Sequence, residues 1–360
     1  MTDSLPDLSE FHDELRSVAR GLLARSGHDE PVDWESISTT GWLGLEVPGE
    51  FDGTDATFAE VAVILREIGR ASARGPYPAV ASLAVAALAL LESGPERLLR
   101  DTASGRTVPV FVLGGESAGR AQFRVEVEPQ GTILQGAATF VLDATGADRL
   151  LVPAQESDGT IVVVDLDPGA PGVAVTEQPV VDATRSFGTV LVEGVTIPPE
   201  SVWRFHGDPQ EALQRLHDRA AVAVACDSLG ASEAMLDATV AYAGMREQFG
   251  RKIGSFQAVK HACADMLVQV AVARTLVDAA VRSLVSGGPE ATTAASMAKA
   301  YSCAAAVEIA GKAMQLHGGM GYTWESGIHV YLKRATLNRS LYGSPALHRA
   351  YLAQRYRSAS

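Results

Sequence analysis

The chain has 360 residues, which is more than a single hydrophobic core usually organises, so the sequence predicts two or three lobes. Hydrophobic residues make up 47% of the chain and charged residues 20%, which excludes a disordered or collagen-like polymer. The formal net charge of −13 has the wrong sign for holding a nucleic acid through its phosphates. A local arginine cluster could still bind a small phosphorylated ligand.

The ends and apolar runs of the chain predict a cytoplasmic protein without a membrane anchor. The N-terminus is acidic and lacks the apolar stretch that directs secretion. The longest apolar run, residues 79–94, is alanine-rich and too short to cross a membrane. Cys226, Cys263 and Cys303 lie in alanine-rich helical settings without metal-binding spacing, which predicts buried thiols rather than disulfides or metal ligands.

The chain begins with helical periodicity, which runs through residues 8–100. From about residue 107 it changes to short β-rich runs bounded by Gly, Asp and Pro. Long alanine-rich helical segments return at about Pro209. The predicted fold class is therefore α+β in the order α, β, α. The predicted domains are an N-terminal helical domain at residues 1–106, a middle antiparallel β domain at 107–205 and a C-terminal four-helix bundle at 206–360.

The densest motif is R-E-Q-F-G at residues 246–250, followed by I-G-S-F-Q-A-V-K-H at 253–261. It predicts a helix that ends at Gly250, a short turn, and a second helix capped by Ser255. Arg246 at such a junction can present its planar guanidinium to a phosphate or carboxylate. The alternative is a surface arginine paired with a carboxylate of its own chain.

A second motif, Q-L-H-G-G-M-G-Y, occupies residues 315–322 between two helical segments. Its glycines would let the backbone approach a flat or phosphorylated ligand closely, because no Cβ atoms stand in the way. The alternative is a turn between helices that needs positive φ angles.

Together with G-W-L-G-L-E-V-P-G-E-F-D-G at residues 41–53 and L-R-E-I-G-R-A-S-A-R-G-P-Y-P at 65–78, these motifs resemble the acyl-CoA dehydrogenase family. The resemblance covers nearly the whole chain, including the α, β, α order. It implies FAD in a cleft between the β domain and the C-terminal helices, and a tetramer built from dimers in which two segments of each chain bind the neighbour's FAD. Carried over, it implicates Arg246, Gln248 and Phe249 at the pyrophosphate, Gln315, Gly318 and Gly319 at the adenosine, and Gln257 as an additional candidate.

The usual catalytic base is missing from the position that the resemblance assigns to it. The family reaction needs a carboxylate to remove the α-proton of an acyl-CoA while a hydride passes to the flavin. Where the family has Glu after a Tyr in its last helical segment, this chain has Gly343, or Tyr342 if no gap is allowed. Residues 326–360 contain no Asp or Glu, so no small shift of alignment restores the base.

Some family members place the base earlier, in the helix that precedes the R-E-Q-F-G motif. The position matched without a gap is Ala220, and the nearby candidates are Asp218 and, more weakly, Asp227. Asp218, which lies beside Arg219, is more simply a solvated or ion-paired helix residue.

The segments expected around the flavin ring are also altered. The family usually has T-E-P-x-x-G-S-D where this chain has V-L-G-G-E-S-A-G at residues 112–119. A family W-I-T or W-I-S segment is represented by F-V-L-D at residues 140–143, which keeps an aromatic residue and loses the hydroxyl. The chain thus keeps the segments that serve a neighbour's FAD and has altered those that would hold its own.

The resulting hypothesis is a subunit of a heteromeric acyl-CoA dehydrogenase that lacks the base and completes the FAD site of a related partner subunit. By analogy the substrate is a bulky or steroid-derived acyl-CoA, the assembly is a heterotetramer with one FAD per heterodimer, and an electron-transfer flavoprotein is the acceptor. One alternative is a self-sufficient homotetramer with Asp218 as base. Another is a repurposed acyl-CoA-binding or interaction protein without catalytic activity.

Overall fold

The N-terminal part of the chain is helical. The structure is a computed structural model, and it describes residues 9–25, 30–92, 94–115, 121–128 and 131–358. Short 3-10 turns lie at Trp42–Gly44 and Gly49–Phe51, and a π-helical turn spans Val80–Ala84. The helices are α1 (Ser9–Leu23), α2 (Trp34–Thr39), α3 (Phe58–Ala71), α4 (Tyr77–Ala79), α5 (Val85–Leu88) and α6 (Glu96–Ala103).

Helix α3 illustrates how the sequence fixes these elements. Thr57 caps its N-terminus, and Glu60 reaches back to accept a hydrogen bond of 2.8 Å from the Thr57 backbone N–H, which completes a capping box. The apolar residues spaced three and four apart along the helix all face the core. They are Val61, Ile64, Leu65 and Ile68.

The middle of the chain forms a β domain, as predicted. Its strands are β1 (Pro109–Phe111), β2 (Phe123–Glu128), β3 (Gly131–Leu142), β4 (Arg149–Glu156), β5 (Ile161–Leu166), β6 (Val173–Glu177), β7 (Phe187–Ile197) and β8 (Val202–Arg204). Within the described ranges these strands form one sheet in the order β6-β7-β3-β2-β4-β5-β8, with β1 paired to β4. Valine and other apolar side chains from alternate positions fill a second hydrophobic core within this domain.

Two details of the β domain differ from the prediction. The sheet is mixed rather than purely antiparallel, because β1 and β2 each pair with β4 in parallel. The twelve-residue strand β3 was not predicted. Its sequence, GTILQGAATFVL, interrupts apolar residues with Gly, Ala and Gln, and therefore lacks the clear two-residue alternation of a half-buried strand.

In the C-terminal part that the structure describes, up to residue 358, there are five α-helices. A long helix starts the domain, and Asp208 caps it by accepting a 2.7 Å hydrogen bond from the Gln210 backbone N–H. The first four pack together as the predicted bundle and the last packs on α9. They are α7 (Pro209–Met245), α8 (Gln257–Ser286), α9 (Ala291–His317), α10 (Ile328–Ser340) and α11 (Pro345–Ser358).

The N-terminal and C-terminal helices meet where α3 crosses α7. A Cβ atom added to Gly69 of α3 would collide with the backbone of Asp227, and one added to Gly230 of α7 would collide with the backbone of Arg66. The two backbones touch because these positions carry no side chain. The crossing fixes the middle of α7 against the N-terminal domain and therefore positions the residues discussed below.

The predicted domain limits fall in connections between elements. Residue 106 lies between α6 and β1, and residue 205 lies between β8 and α7, and the limits themselves stay predictions. No helix of the described chain is long and apolar enough to cross a bilayer. All three cysteines are free, Cys226 and Cys303 are buried as predicted, and Cys263 is half-buried.

Candidate functional site

Arg246 lies at the end of α7 and departs from the predicted local structure. The helix ends at Met245 rather than at Gly250, and Arg246 is extended, with φ −66° and ψ 129°. Its N–H donates to the Tyr242 carbonyl at 2.9 Å, and its carbonyl accepts a 2.8 Å hydrogen bond from the Ile253 N–H. The backbone of Arg246 is thereby fixed while its side chain is exposed. Among the residues that the structure describes, this guanidinium has no ion-pair partner, in contrast to the alternative of a surface salt bridge.

The residues after Arg246 form a β-hairpin instead of continuing the helix. The hairpin pairs β9 (Glu247–Gln248) with β10 (Arg251–Lys252). Phe249 and Gly250 form its two-residue turn with φ angles of 53° and 72°, the signs that a type I′ turn requires. A left-handed phenylalanine is unusual, and its side chain is 89% exposed. The hairpin therefore holds an aromatic side chain in solvent at some cost in backbone energy, which is common at binding sites.

The helix after the hairpin begins at Gln257, whose side chain is exposed. Ser255 does not cap this helix as predicted. It lies in a 3-10 turn, and its hydroxyl donates to the Lys252 carbonyl at 2.7 Å, so Phe256 occupies the N-cap position. The ring of Phe256 is instead covered by the Arg251 guanidinium, 4.1 Å from its centroid. This stacking supports the base of the hairpin.

The glycines after α9 have three different local environments. Gly318 adopts φ 60° and ψ −138°, a conformation that is nearly restricted to glycine. Gly321 has no room for a Cβ atom, which would approach the Met314 carbonyl oxygen to 2.6 Å. Gly319 shows neither constraint, because its φ is not positive and a Cβ atom would meet nothing within 4 Å. The conformation and packing of the turn thus require glycine at positions 318 and 321. They do not require it at Gly319, where a glycine fits the predicted close approach of a ligand.

The two motifs lie at the same end of the bundle. The Tyr242 ring, one turn before Arg246, stacks on the His317 ring with centroids 4.5 Å apart and an interplanar angle of 23°. The hairpin and the glycine segment therefore flank one stacked pair. The side chain of Gln315 and the backbone of Gly318 and Gly319 are exposed there. This exposed edge is called the donor edge below and comprises Arg246, Gln248, Phe249, Gln315, Gly318 and Gly319.

The segments predicted around the chain's own flavin ring are packed against one another. Gly115 donates its N–H to the Phe140 carbonyl at 3.0 Å and accepts a 2.8 Å hydrogen bond from the Tyr342 N–H. A Cβ atom at Gly115 would lie 2.9 Å from Leu341 and 3.2 Å from Phe140. Residues 116–119 of the predicted ring segment lie outside the described residues. The described part of this region is occupied by its own backbone and side chains.

Polar atoms without partners accumulate in the same place, and no sequence pattern predicts them. Within the described residues, Asp143 Oδ2, Arg185 Nη1 and Tyr342 Oη are buried without a hydrogen-bond partner. Burial raises the pKa of Asp143 to about 7, against the opposing effect of Arg185 and Arg334. Phe140, Asp143 and Tyr342 also adopt left-handed φ angles of 53°, 56° and 51°. Strained backbone and unsatisfied polar groups together mark a region that is not optimised for stability.

Gly343 cannot be replaced by a side chain in this conformation. Its φ is 96°, in the region that favours glycine. A Cβ atom would also meet the buried His348 ring, which is fixed between the Tyr342 carbonyl at 2.9 Å and the Ser296 hydroxyl at 3.1 Å. The backbone conformation and the packing of this turn therefore favour glycine at position 343 over the family's glutamate.

Asp227, the weaker candidate for an earlier base, is neutralised by arginines. Its carboxylate accepts hydrogen bonds of 2.9 and 2.5 Å from Arg334 and of 2.6 Å from Arg185. Asn338 adds a hydrogen bond of 2.7 Å. Burial disfavours the charged form, but the two arginines outweigh it, so the pKa of Asp227 is lowered. A carboxylate held in this way is a structural anion and a poor proton acceptor.

Asp218 differs from Asp227, because it lines a cleft of about 490 Å³ between α5, α7 and the start of α9. Gln214 donates to its Oδ1 at 2.9 Å and Thr292 to its Oδ2 at 2.6 Å. Burial raises the pKa of Asp218 to about 6, although these two hydrogen bonds act in the opposite direction. Arg219 does not pair with Asp218, as the alternative supposed, but binds Glu46.

The predicted FAD fits the two halves of this site unequally. The donor edge offers an unpaired guanidinium and exposed glycine backbone, the groups that a pyrophosphate and an adenosine would need. The cavity between Leu142, Ala223 and Tyr342, where the predicted ring segments meet, has a volume of about 20 Å³. That is room for about one water molecule and far too little for a three-ring flavin. In this conformation the described residues fit the outer half of a neighbour's FAD and do not fit a ring of their own.

Two family models match the chain. The model of the acyl-CoA dehydrogenase N-terminal domain matches residues 9–105, and that of the C-terminal domain matches residues 211–356. The chain is 31% identical to the acyl-CoA dehydrogenase IpdE2 of Mycolicibacterium smegmatis, over 96% of this chain and 94% of that protein.

Solved structures with the same fold include subunits of two-component assemblies. A chain of the ChsE4-ChsE5 complex from Mycobacterium tuberculosis matches with a TM-score of 0.86 and 24% identity, over 99% of each chain. A chain of the Tcur3481-Tcur3483 steroid ACAD, a G363A variant, matches with a TM-score of 0.85 and 25% identity, over 98% of this chain and all of that one.

Proposed function

Because the chain belongs to the acyl-CoA dehydrogenase family, whose members are FAD-dependent flavoproteins, we propose that it is the subunit without a catalytic base in a heteromeric acyl-CoA dehydrogenase. In this role it completes the FAD site of a related partner subunit. The observation that carries the proposal is the Gly343 turn, where left-handed backbone and the fixed His348 ring leave no place for the family's glutamate.

The retained half of the site supports the same assignment. Arg246 directly precedes the hairpin and Phe249 lies in its turn, and the side chains of both residues are exposed. Such exposure is explained if a second subunit covers the donor edge. The small cavity beside Tyr342 supports the same assignment, because it leaves no room for a flavin ring of the chain's own.

The residues of this chain would act by binding and orienting. The Arg246 guanidinium would bind the FAD pyrophosphate of the partner through charge-assisted hydrogen bonds, and Gln315 would bind the adenosine end. Gly318 and Gly319 would let the backbone approach the same end closely. Hydride acceptance is the chemistry that FAD supplies when it is bound. Proton abstraction from the acyl group would fall to a carboxylate of the partner, since Asp227 is already neutralised in this chain.

The substrate and acceptor follow by analogy with the relatives. A solved neighbour is described as a steroid ACAD, which favours a bulky acyl-CoA for this chain as well. An electron-transfer flavoprotein is the proposed acceptor, and the cytoplasm the proposed location. These points rest on similarity of fold and sequence rather than on a residue of the site.

Co-expression tests the proposal. The chain would be produced alone and together with a genomically adjacent family member that carries the glutamate missing at Gly343. We expect little or no FAD and no dehydrogenation of acyl-CoA esters by the chain alone, and a heterotetramer with two FAD when the partner is present. Four FAD in the heterotetramer, or stoichiometric FAD with turnover by the chain alone, would contradict the proposal.

A self-sufficient homotetramer is the second candidate, and Asp218 is the observation that favours it. This carboxylate lies in a cleft and its pKa of about 6 suits a general base near neutral pH. If the chain alone proves active, Asp218→Asn separates the two functions. A rate reduced by orders of magnitude with FAD retained would establish Asp218 as the base, whereas an unchanged rate would exclude it.

A further inference from the structure

The two segments of the donor edge each pack against the end of their own helix. The turn after the hairpin packs back on α7, because a Cβ atom at Gly254 would lie 2.9 Å from the carbonyl oxygen of Ala243. In the same way, a Cβ atom at Gly321 would lie 2.6 Å from the carbonyl oxygen of Met314 in α9. The position of each segment is therefore set by the position of one helix end.

The rings of Tyr242 and His317 join these two helix ends. Tyr242 lies in the last turn of α7, and His317 is the last residue of α9. His317 is buried, and its Nδ1 donates a hydrogen bond of 2.8 Å to the Ala313 carbonyl oxygen, which can only accept. The His317 ring is thereby fixed on its own helix. The Tyr242 ring stacks on it with centroids 4.5 Å apart, so the stack fixes the end of α7 against the end of α9.

Both segments contain backbone that needs this support. Phe249 has a φ of 53°, and Gly318, directly after His317, has φ 60° and ψ −138°. Such conformations persist only where the surrounding structure holds them. The carbonyl oxygen of Tyr242 also accepts the hydrogen bond of 2.9 Å from the Arg246 N–H. The stacked residues thus adjoin the strained glycine on one side and the backbone of Arg246 on the other.

We propose that Tyr242 and His317 are positioning residues, whose stack sets the separation between the Arg246 guanidinium and the backbone of Gly318 and Gly319. A ligand with a pyrophosphate at one end and an adenosine at the other can bind both groups well only while that separation is kept. Loss of the stack would leave each group intact and misplace one relative to the other. This inference rests on the proposed function and adds two residues that act through the donor edge.

Hydrogen–deuterium exchange of the full chain alone tests whether the stack connects the two segments. Tyr242→Leu removes the ring, whereas Tyr242→Phe keeps it and is the matched variant. In the Leu variant we expect amides of residues 246–253 and also of residues 315–323 to exchange about 2- to 10-fold faster, the factor that a stacked aromatic pair contributes. The Phe variant should exchange at the wild-type rates. Faster exchange confined to residues 246–253 would overturn the proposal.

Two further variants keep the exchange experiment decisive. His317→Leu removes the other ring and should speed exchange in residues 246–253, even if Tyr242→Leu fails to fold. Phe51→Leu is the control, because it removes an aromatic ring of the N-terminal domain, 5.2 Å from the Arg100 guanidinium, and should leave both segments unchanged. Unchanged exchange in residues 246–253 of His317→Leu would also overturn the proposal.

Titration of FAD into the apo-complex with the partner subunit tests the positioning role itself. Tyr242→Leu should weaken FAD binding about 2- to 10-fold, and Tyr242→Phe should keep the wild-type affinity. In the Arg246→Ala background, Tyr242→Leu should change the dissociation constant by less than about twofold, because a residue that acts through Arg246 is not additive with it. A purely structural role predicts the same loss in both backgrounds, and that result would contradict positioning.

Failure of this inference is distinct from failure of the proposed function. If Arg246→Ala weakens FAD binding and Tyr242→Leu does not, the positioning role is wrong and the proposed function stands. If Arg246→Ala leaves FAD binding unchanged, the proposed function fails, and the positioning role fails with it.

Discussion

The Nε2 atom of His348 lies 2.7 Å from the place where a side chain at Gly343 would begin. His348 cannot easily move away, because it is buried and both of its ring nitrogens are hydrogen-bonded. The family's usual base position is therefore closed by packing as well as by the change of residue. This relationship connects a one-residue difference in the sequence to the proposed absence of a catalytic base at this position.

Gly343→Ala should destabilise the chain more than a glycine replacement without a clash. The comparison is Gly207→Ala, where φ is 72° but a Cβ atom meets nothing within 4 Å. Both variants suffer the strain of left-handed backbone, roughly 1–2 kcal/mol, and only Gly343→Ala adds overpacking of about 1–3 kcal/mol. Urea unfolding of the two variants measures the difference. Equal losses of unfolding free energy would show that His348 adjusts freely.

Gly343→Glu should not create an active dehydrogenase. The new carboxylate would have to displace His348, and the region around it has no room for a flavin ring in the described conformation. The measurement is turnover of acyl-CoA by the chain alone, with Gly343→Gln as the matched control for size. Activity that appears in the Glu variant and not in the Gln variant would refute this account of the turn.

The buried cluster of Asp227, Arg185 and Arg334 should be essential for stability. Asp227→Asn would leave Arg334, which has no exposed surface, and Arg185 without their anion. Loss of one partner of a buried ion pair costs about 3–5 kcal/mol. Glu156→Gln, in the exposed pair with Arg204, is the control and should cost less than about 1 kcal/mol. If both variants lose the same unfolding free energy, the buried cluster contributes no more to stability than the exposed pair.

The stability of the fold should depend on pH through Asp218. Burial raises its pKa from the ordinary 3.8 to about 6, so the folded chain binds this proton more tightly than the unfolded chain. The stabilisation is complete below about pH 4 and is lost as the pH rises through 6. Asp218→Asn should therefore be more stable than the wild type at pH 8, on the order of 3 kcal/mol, and nearly equal to it at pH 4.

The control for this pH dependence is Asp237→Asn, because that carboxylate lies on the same helix and is largely exposed. Its difference from the wild type should be small at every pH between 4 and 8. Unfolding free energies measured by urea titration across this range make the comparison. If the difference in unfolding free energy between Asp218→Asn and the wild type does not change with pH, folding does not raise the pKa of Asp218.

The sequence predicted those parts of the molecule that depend on local pattern. The order of α, β and α regions follows from periodicity, and the absence of acids in residues 326–360 is visible directly. The hairpin at Phe249 was not predicted, because its left-handed turn uses an aromatic residue where glycine or asparagine is usual. Strand β3 was missed because its apolar residues do not alternate.

The charge clusters could not be predicted, because their members are distant in the chain. Asp227 and Arg334 are 107 residues apart and meet only after α10 packs on α7. A signal was nevertheless present, since Asp227 stands among apolar residues of α7 and a charge in such a setting needs a partner. Which arginine supplies the positive charge is decided by the tertiary fold alone.

The central claim is that this chain completes a flavin site in its neighbour, and Arg246 tests it most directly. Apo-complexes containing wild-type chain or Arg246→Ala would be titrated with FAD, with Arg97→Ala, a solvent-exposed arginine of the N-terminal domain, as control. Loss of a charge-assisted contact of about 1.5–3 kcal/mol predicts FAD binding that is roughly 10- to 100-fold weaker in Arg246→Ala, with only partial recovery in Arg246→Lys. Equal dissociation constants for the wild type and Arg246→Ala would contradict the claim.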